Sequence, residues 1–224
     1  MIELTGYRDK HEYTNKHGVK SVVYLMDCMD AMRQMGDKEF GLLCSDPPYG
    51  INVNHNMGRR KGQKASQHKK AYWDNESPSV AAFGEMFRVS ERQAVWGANH
   101  FISKMPYDSA CWLMWDKGFS PDVSFAQFEL CWTSFEGVCK KFDASPNQPD
   151  RIHSTQKPVA LYDWIFHNYA KPNDTIFDSH LGSGSSRIAA DKHNLPFLGV
   201  ELDPDYFRDH CKRFDRYTAQ LTLF

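Results

Sequence analysis

One short stretch, an apolar run that stops at a carboxylate and two prolines, constrains this chain most. Residues 42–44 have the pattern of a buried strand, and Asp46 lies where that strand ends. Pro47 and Pro48 fix their own φ angles and offer no backbone N–H, so neither a ladder nor a helix continues there. Their carbonyl oxygens therefore point into the pocket beyond the strand, beside the ring of Tyr49. The sequence predicts a rigid array of carboxylate, backbone acceptor and flat ring.

This array fits the chemistry of an exocyclic amine on a nucleobase. Such an amine is a poor nucleophile because its lone pair is delocalised into the ring. Two acceptors that take both N–H bonds, here the Asp46 carboxylate and the Pro47 carbonyl, would free that lone pair for attack. The Tyr49 ring would stack on the base, which must first leave the double helix, and such stacking contributes roughly 1–3 kcal/mol per base. The alternative is a plain strand and proline turn, with Asp46 as a solvated cap.

A second predicted strand ends in a glycine turn. Residues 175–177 are followed by Asp178 and then by Leu181-Gly182-Ser183-Gly184-Ser185, which leads into a helical pattern. The two glycines lack Cβ atoms, so a ligand can approach the backbone closely. Position 187 is Arg where a dinucleotide-binding fingerprint has its third glycine. The turn therefore predicts a nucleotide-like ligand rather than a complete dinucleotide site.

Acidic residues end two other predicted strands. Glu201 follows residues 197–200 and can accept hydrogen bonds from both ribose hydroxyls of an adenosine. Asp27 follows residues 22–26, and for Asp27 a helix N-cap is an equally good explanation. A glycine turn followed by an acidic strand end at this distance predicts an adenosine site that needs no pyrophosphate. S-adenosyl-L-methionine fits that description.

Two long loops are predicted to contact a target. Residues 51–73 contain no acidic residue and no helical or strand period, which predicts a loop over residues 51–75. Its position after the base pocket favours contact with a phosphate backbone over a solvated insertion. Residues 133–152 are predicted to be irregular and to form the second loop. The basic residues of the first loop are Arg59, Arg60, Lys61, Lys64, Lys69 and Lys70.

Composition narrows the class of protein. The chain has 224 residues, of which 14% are aromatic, and this predicts a folded domain rather than a disordered chain. Its formal net charge is −1, so contacts with nucleic acid must come from a local patch. The six cysteines form no CxxC pair, which indicates reduced core thiols in a cytoplasmic protein. We expect no signal peptide, no membrane span and no metal site.

The order of predicted elements favours one doubly wound α/β domain over residues 1–224. Seven strand-like runs are joined largely by helical patterns, which predicts a mixed, mainly parallel sheet. Ligands of such sheets bind at the carboxyl ends of the strands, so Asp46 and the glycine turn should share one edge. Residues 1–18 fit either an edge hairpin or an interface arm. The predicted strands are residues 22–26, 42–44, 93–96, 111–115, 128–132, 175–177 and 197–200.

Taken together, these stretches resemble the amino-methylating DNA methyltransferases with the β-type order of motifs, in which the catalytic half precedes the cofactor half. The resemblance runs from residue 20 to the end of the chain and implies a Rossmann-like methyltransferase fold. Asp46-Pro47-Pro48-Tyr49 is similar to the catalytic motif of that family in the form usual for adenine N6 targets. Enzymes that act on cytosine N4 more often have Ser at the first position. Members commonly dimerise, so a homodimer is compatible with the resemblance.

The same resemblance implies how the cofactor is held. The stretch His153-Ser154-Thr155-Gln156-Lys157-Pro158 is similar to a motif that helps to hold the methionine part of S-adenosyl-L-methionine. Asp27 matches the acidic position that meets the adenine of the cofactor, and Glu201 matches the acid that meets its ribose. The implied cofactor contacts are Asp27, His153, Thr155, Asp178, Leu181, Gly182, Ser183, Gly184, Ser185 and Glu201.

Departures from the family pattern concern two places. Ser179 and His180 stand where the family usually has Pro-Phe, so the aromatic packing around the cofactor differs. Ser154 stands where the family usually has Pro. Neither departure touches the glycines or Asp46. No large recognition domain is visible, so sequence specificity would come from the two loops or a second subunit, or would be slight.

The predicted function is the site-specific transfer of a methyl group from S-adenosyl-L-methionine to the N6 amine of a flipped-out adenine in double-stranded DNA. Cytosine N4 in DNA and adenine N6 in RNA remain as alternative targets of the same chemistry. A nucleic-acid-binding module that keeps a degenerate enzyme fold is an alternative of another class, which intact Asp46 and Glu201 disfavour. A nucleotide-dependent dehydrogenase is disfavoured because the third glycine is missing.

Overall fold

A computed structural model describes residues 2–51, 74–120, 122, 126–152 and 155–221 of the chain. Within these ranges, nine strands form a single sheet. The strands are β1 (Asp9–Thr14), β2 (Lys20–Leu25), β3 (Phe40–Ser45), β4 (Ser90–Trp96), β5 (Leu113–Asp116), β6 (Phe128–Thr133), β7 (Lys140–Asp143), β8 (Ile176–Asp178) and β9 (Phe197–Glu201). The α-helices are α1 (Cys28–Met32), α2 (Val80–Val89), α3 (Val159–Tyr169), α4 (Ser185–Lys192) and α5 (Pro204–Leu221). None of these helices is both long and apolar enough to span a bilayer.

The strands follow the order β1-β2-β9-β8-β3-β4-β6-β5-β7 across the sheet. The five strands from β2 to β4 in this order are parallel to one another, whereas β1 and β6 are antiparallel to their neighbours. This mixed, mainly parallel sheet confirms the predicted fold class. The sheet differs from the prediction in having nine strands rather than seven.

The two strands that we did not predict lie at the two ends of the sheet. β1 and β7 each pair with one neighbour only, and most of their side chains are exposed or half-buried. Such edge strands have no continuous apolar run, so the hydrophobic pattern does not reveal them. Of the two options for residues 1–18, the edge hairpin is observed. The prediction that residues 133–152 are irregular throughout is wrong, because β7 lies among them.

Both faces of the central strands are buried, and alternate residues face different cores. On β2, Val22 and Tyr24 pack in a core with residues of α1 and α2, whereas Val23 and Leu25 pack in a core with residues of α3, α4 and α5. Burial on both sides explains why these strands appear in the sequence as continuous apolar runs. It also leaves the strand ends as the place where polar groups of the central strands can meet a ligand.

Three helices lie close to where local sequence patterns indicate them. Ser77-Pro78 is a pattern that opens a helix, whereas α2 begins at Val80 because the Ser79 hydroxyl accepts a hydrogen bond from the N–H of Ala82, 3.2 Å away. Residues 30–35 have the pattern of a short helix, and the helix observed there, α1, begins and ends earlier along the chain. Lys157-Pro158 is a second pattern of a helix start, and α3 begins directly after Pro158.

Candidate active site

The ends of β3 and β8 lie side by side. The two strands are parallel neighbours, with Leu43 opposite Phe177, so both present their carboxyl ends at the same edge. Just beyond this pair, the Oγ atoms of Ser45 and Ser179 are 2.8 Å apart. Asp46 and the glycine turn therefore begin from adjacent positions, which is the arrangement that the strand-end residues predict.

Asp46 is held at one of its two carboxylate oxygens. The Tyr49 hydroxyl donates to Oδ1 over 2.9 Å, and the ammonium of Lys157 lies 2.5 Å from the same atom. No hydrogen bond reaches Oδ2 from the part of the chain that the structure describes. The carboxylate is thus oriented through Oδ1 while Oδ2 keeps its capacity to accept a hydrogen bond.

Lys157 is the buried cation at the centre of the site. Its side chain is 2% exposed, and its Nζ contacts Asp46 Oδ1 at 2.5 Å, Glu129 Oε2 at 3.0 Å and Tyr49 Oη at 3.1 Å. Three acceptors match the three N–H bonds of an ammonium group. The backbone carbonyl of the same residue accepts a hydrogen bond from Ser185 Oγ, 2.7 Å away in the first turn of α4. Lys157 therefore joins Asp46 and Tyr49 to the helix that follows the glycine turn.

A second lysine balances the charge of the site. Lys117 contacts Glu129 Oε1 at 2.7 Å, so the carboxylate of Glu129 lies between two ammonium groups. Burial alone would raise the pKa of Glu129, but these two ammonium groups lower it to about 2. Burial raises the pKa of Asp46, and Lys157 acts against that shift. Burial alone would lower the pKa of Lys157, but the carboxylates of Asp46 and Glu129 raise it.

The ring of Tyr49 is fixed by close backbone and side-chain contacts. Gly97 has φ 73°, and a Cβ added there would lie 2.0 Å from Cε1 and 2.4 Å from both Cδ1 and Cζ of Tyr49. Because an atom in the plane of the ring would lie farther from Cδ1 and Cζ than 2.4 Å, that Cβ would lie over the face of the ring, so only glycine fits. The imidazole of His100 stacks on Tyr49 with ring centroids 5.1 Å apart. Asp74 Oδ1 accepts hydrogen bonds from the N–H groups of Tyr49 at 2.7 Å and Gly50 at 3.0 Å.

The glycine turn packs tightly on one side and is open on another. At Gly184 φ is 71°, and an added Cβ would lie 2.0 Å from Cδ2 of His210, whereas a Cβ on Gly182 would meet no atom within 4 Å. Glu201 Oε2 accepts a hydrogen bond from the N–H of Gly182 over 2.8 Å, and its Oε1 accepts one from Asp203. Burial raises the pKa of Glu201. The turn and the acidic end of β9 are therefore one unit, with open space beside it.

Asp178 and Asp27 use their carboxylates to hold the backbone. Asp178 Oδ1 accepts the N–H of His180 at 3.0 Å, and burial raises its pKa to about 7. Asp27 Oδ1 accepts the N–H groups of Met29 at 2.8 Å and Asp30 at 3.2 Å, so the N-cap alternative is observed. A cofactor contact of either residue stays a prediction.

His180, one of the departures from the family pattern, lies at the meeting point of three strand ends. Its Nδ1 is 3.0 Å from Ser179 Oγ and 3.2 Å from Ser45 Oγ, and its Nε2 is 3.9 Å from Cys28 Sγ. Burial lowers the pKa of this imidazole to about 4, so it is neutral at physiological pH. A polar ring stands here where the resemblance predicts an apolar one.

The remaining predicted contacts fall into two groups, outside and inside the described residues. His153 and the six basic residues of the first loop lie outside the described residues. Thr155 lies inside them and is half-buried, and Leu181, Ser183 and Ser185 are buried. Among the described residues, no group of histidine, cysteine, aspartate and glutamate side chains could hold a metal ion.

Glu129 and Lys157 are the site residues whose role the sequence did not reveal. They stand 80 and 108 positions from Tyr49 along the chain, so no local pattern joins them to it. A lone carboxylate inside the apolar run of residues 128–132 was the available signal for Glu129. Lys157 lies in the motif that precedes the glycine turn, but nothing in that motif indicates that its ammonium reaches Asp46.

Fold and site together define an α/β protein of the Rossmann-like methyltransferase class, with a carboxylate and a glycine turn at adjacent strand ends. The model of a family described as DNA methylase matches residues 59–212, and the chain belongs to this family. The matched range includes Lys157, the glycine turn and Glu201, and it begins after Asp46-Pro47-Pro48-Tyr49.

Individual known proteins are similar to this chain in sequence or in fold. A protein of Escherichia coli (strain K12) named "Putative methylase YubD" is 25% identical over 205 residues, which cover 81% of this chain and 85% of that protein. The crystal structure of the M1.HpyAVI–SAM complex superposes with a TM-score of 0.57 at 16% identity, covering 86% of this chain and 98% of that chain. PvuII DNA methyltransferase, described as cytosine-N4-specific, has a TM-score of 0.61 at 12% identity, covering 93% and 90%. At these identities the two structures show a shared fold.

Proposed function

We propose that this chain transfers a methyl group from S-adenosyl-L-methionine to the N6 amine of a flipped-out adenine in double-stranded DNA. The observation that supports this most is the orientation of Asp46, which is held through Oδ1 and keeps Oδ2 free to accept among the described residues. This oxygen lies at the same sheet edge as the glycine turn. An amine acceptor and an adenosine-type turn at one edge are the two parts that such a reaction needs.

The residues around the glycine turn fit S-adenosyl-L-methionine. Gly182 has open space beside it, and the carboxylate of Glu201 stands at the end of the neighbouring strand, where ribose hydroxyls can donate to it. Gln156 Nε2 and Arg213 Nη2 are buried donors that have no partner in the described part of the chain. The carboxylate of the methionine part has the matching chemistry. When bound, this cofactor supplies an electrophilic methyl group on a sulfonium.

The residues of the base pocket would prepare the amine. Asp46 Oδ2 and the carbonyl of Pro47 accept its two N–H bonds and shift electron density back to the nitrogen. The fixed ring of Tyr49 holds the base by stacking, in competition with His100. The methylated amine is acidic, and Asp46 is placed to accept the proton that it loses. Fixed acceptors and positioning are therefore the main contributions to the rate.

The choice of adenine rests on the aspartate at the first position of the motif. A protein with this fold is cytosine-N4-specific, so cytosine remains the second candidate target. We further propose that Arg59, Arg60, Lys61, Lys64, Lys69 and Lys70 bind the DNA backbone, with residues 133–152 as a second contact. Asp74 Oδ1 accepts a hydrogen bond from the N–H of Tyr49, so the described residues on the two sides of residues 52–73 lie close together.

We also propose a homodimer and a cytoplasmic location for this protein. A homodimer would supply a second DNA-binding surface, and sedimentation with and without DNA tests for it. All six cysteines are free, which supports the expectation of a cytoplasmic protein with reduced thiols.

Nucleoside analysis tests the reaction directly. The protein is incubated with cofactor carrying a labelled methyl group and with unmethylated double-stranded DNA or RNA, and the digested nucleosides are separated by mass. We expect the label in N6-methyladenine from DNA. Label only in N4-methylcytosine, or only in RNA, would contradict the choice of target. No label with any substrate, despite measured cofactor binding, would favour a binding module.

A further inference from the structure

We propose that Lys157 is a positioning residue that orients the Asp46 carboxylate toward the target amine, and that Glu129 holds Lys157 in place. The inference rests on the proposed function, because the orientation of Asp46 matters only if an amine binds there. It concerns two residues that lie outside the Asp46–Tyr49 motif.

The first step is that three hydrogen bonds fix the position of the Lys157 ammonium. Each of its three N–H bonds has an acceptor from a different residue, namely Asp46, Glu129 and Tyr49. Its backbone carbonyl is tied to Ser185. Moving Nζ away would leave at least one buried acceptor without its partner, which is costly at a side chain that is 2% exposed.

The second step concerns the single proton of the Tyr49 hydroxyl. This hydroxyl lies 2.9 Å from Asp46 Oδ1 and 3.0 Å from Glu129 Oε2, but it can donate to only one of them. Lys157 contacts both carboxylates and also donates to the Tyr49 oxygen. If the Tyr49 hydroxyl donates to Glu129, the ammonium of Lys157 still donates to Asp46 Oδ1. Oδ1 therefore stays bound, and Oδ2 stays directed away from Lys157 and Tyr49.

The third step is charge. Without Lys157, Asp46 and Glu129 would share the Tyr49 hydroxyl, and the remaining ammonium of Lys117 lies on the far oxygen of Glu129. Burial and the negative charge of Glu129 would then raise the pKa of Asp46, and the hydrogen bond from Tyr49 would be left to oppose them without the ammonium. A protonated Asp46 would donate where it must accept. Other titratable groups close enough to interact with Asp46 are Asp178, Tyr162 and Cys131.

The test compares Lys157→Met with Lys117→Met in the full chain. Both variants remove an ammonium from Glu129, but only Lys157→Met removes one from Asp46. We expect Lys157→Met to lower kcat about 10²-fold, as for a misplaced catalytic group, and Lys117→Met to have a much smaller effect. The acidic limb of kcat/KM against pH should move to higher pH in Lys157→Met only. Cofactor affinity, measured by calorimetry, should stay close to wild type in both variants.

A second variant covers the case in which Lys157→Met does not fold. Glu129→Gln keeps the shape of the side chain but weakens its hold on Lys157, so kcat should fall while cofactor affinity persists. If both variants fold, the double variant should lose little more than Lys157→Met alone, because Glu129 acts through Lys157.

The possible failures are distinguishable. If the wild-type chain methylates no nucleic acid, the proposed function fails. If the wild-type chain is active, and Lys157→Met (or Glu129→Gln, should Lys157→Met not fold) keeps the wild-type kcat and acidic limb, the positioning role alone is overturned. Equal losses in Lys157→Met and Lys117→Met would also overturn it, because Glu129 and not Asp46 would then be the group that matters.

Discussion

The hydroxyl of Ser185 donates to the backbone carbonyl of Lys157 over 2.7 Å, and this bond ties the first turn of α4 to the residue whose side chain contacts Asp46. Both serine and lysine are buried. The same Oγ accepts a hydrogen bond from Arg213 Nη1 at 3.0 Å. The helix that follows the glycine turn and the network around Asp46 are thus connected through one hydrogen-bonded serine.

We expect Ser185→Ala to destabilise the fold, because it leaves the Lys157 carbonyl and one Arg213 N–H without this partner. The free energy of unfolding should fall by about 1–3 kcal/mol, which urea unfolding measures. Ser186→Ala is a neighbouring comparison, since the Ser186 hydroxyl bonds to Asp178 instead. We expect only Ser185→Ala to lower kcat as well as stability. Equal kcat in the two variants would contradict the connection.

Replacing Asp46 should separate catalysis from binding. Asp46→Ala removes an acceptor of the target amine, and we expect methyl transfer to fall by about 10²–10³-fold or more. DNA binding, measured by fluorescence anisotropy, and cofactor binding should persist, since neither depends on Oδ2. Turnover at the wild-type rate would end the catalytic assignment of this residue.

Two substitutions of Tyr49 should separate its ring from its hydroxyl. Tyr49→Ala removes the stacking surface and should weaken capture of the flipped base by about 1–3 kcal/mol. Tyr49→Phe keeps the ring and removes the hydroxyl, so the base should still be captured while kcat falls. Fluorescence of 2-aminopurine at the target position reports flipping. A signal lost equally in both variants would contradict a stacking role.

Gly97 should tolerate no side chain. Gly97→Ala would place a Cβ 2.0 Å from the Tyr49 ring at a residue with φ 73°, so we expect lower stability and a displaced ring. Gly84→Ala is the matched control, because Gly84 lies in α2 and a Cβ there meets no atom within 4 Å. We expect that control to gain about 0.5–1 kcal/mol. Full activity of Gly97→Ala would show that the ring position is not needed.

Asp178 should make stability depend on pH. Burial raises its pKa from 3.8 to about 7 in the folded state, so its protonated form favours folding. This contribution is complete below pH 3.8 and is lost as pH rises through about 7. Asp178→Asn, which stays neutral, should therefore become more stable relative to wild type between pH 5 and 8. Urea unfolding at about pH 5 and pH 8 measures the difference, and parallel pH dependence of the two proteins would contradict the assignment.

Particular elements show what could be predicted from the sequence. The apolar runs of β2, β3, β8 and β9 end at acidic residues in the structure as predicted, because burial on both faces leaves a continuous pattern that stops where the chain leaves the core. β7 was missed, and β1 was left open between two interpretations, because an edge strand is half-exposed. Arg187, at the position of the missing third glycine, is fully buried between Ser21 and His210, for which the sequence carried no signal.

The sequence by itself determined which groups stand at the strand ends. A proline pair, a glycine turn and an apolar run each set the conformation or burial of their own segment, without any distant residue. Tertiary structure decided which of those groups have partners. Glu129 and Lys157 reach Asp46 and Tyr49 only because β6, which β4 separates from β3 in the sheet, and the segment before α3 bring them to the end of β3. The physical reason is that a buried ammonium must find its acceptors in space, and the distance between them along the chain does not limit which it finds.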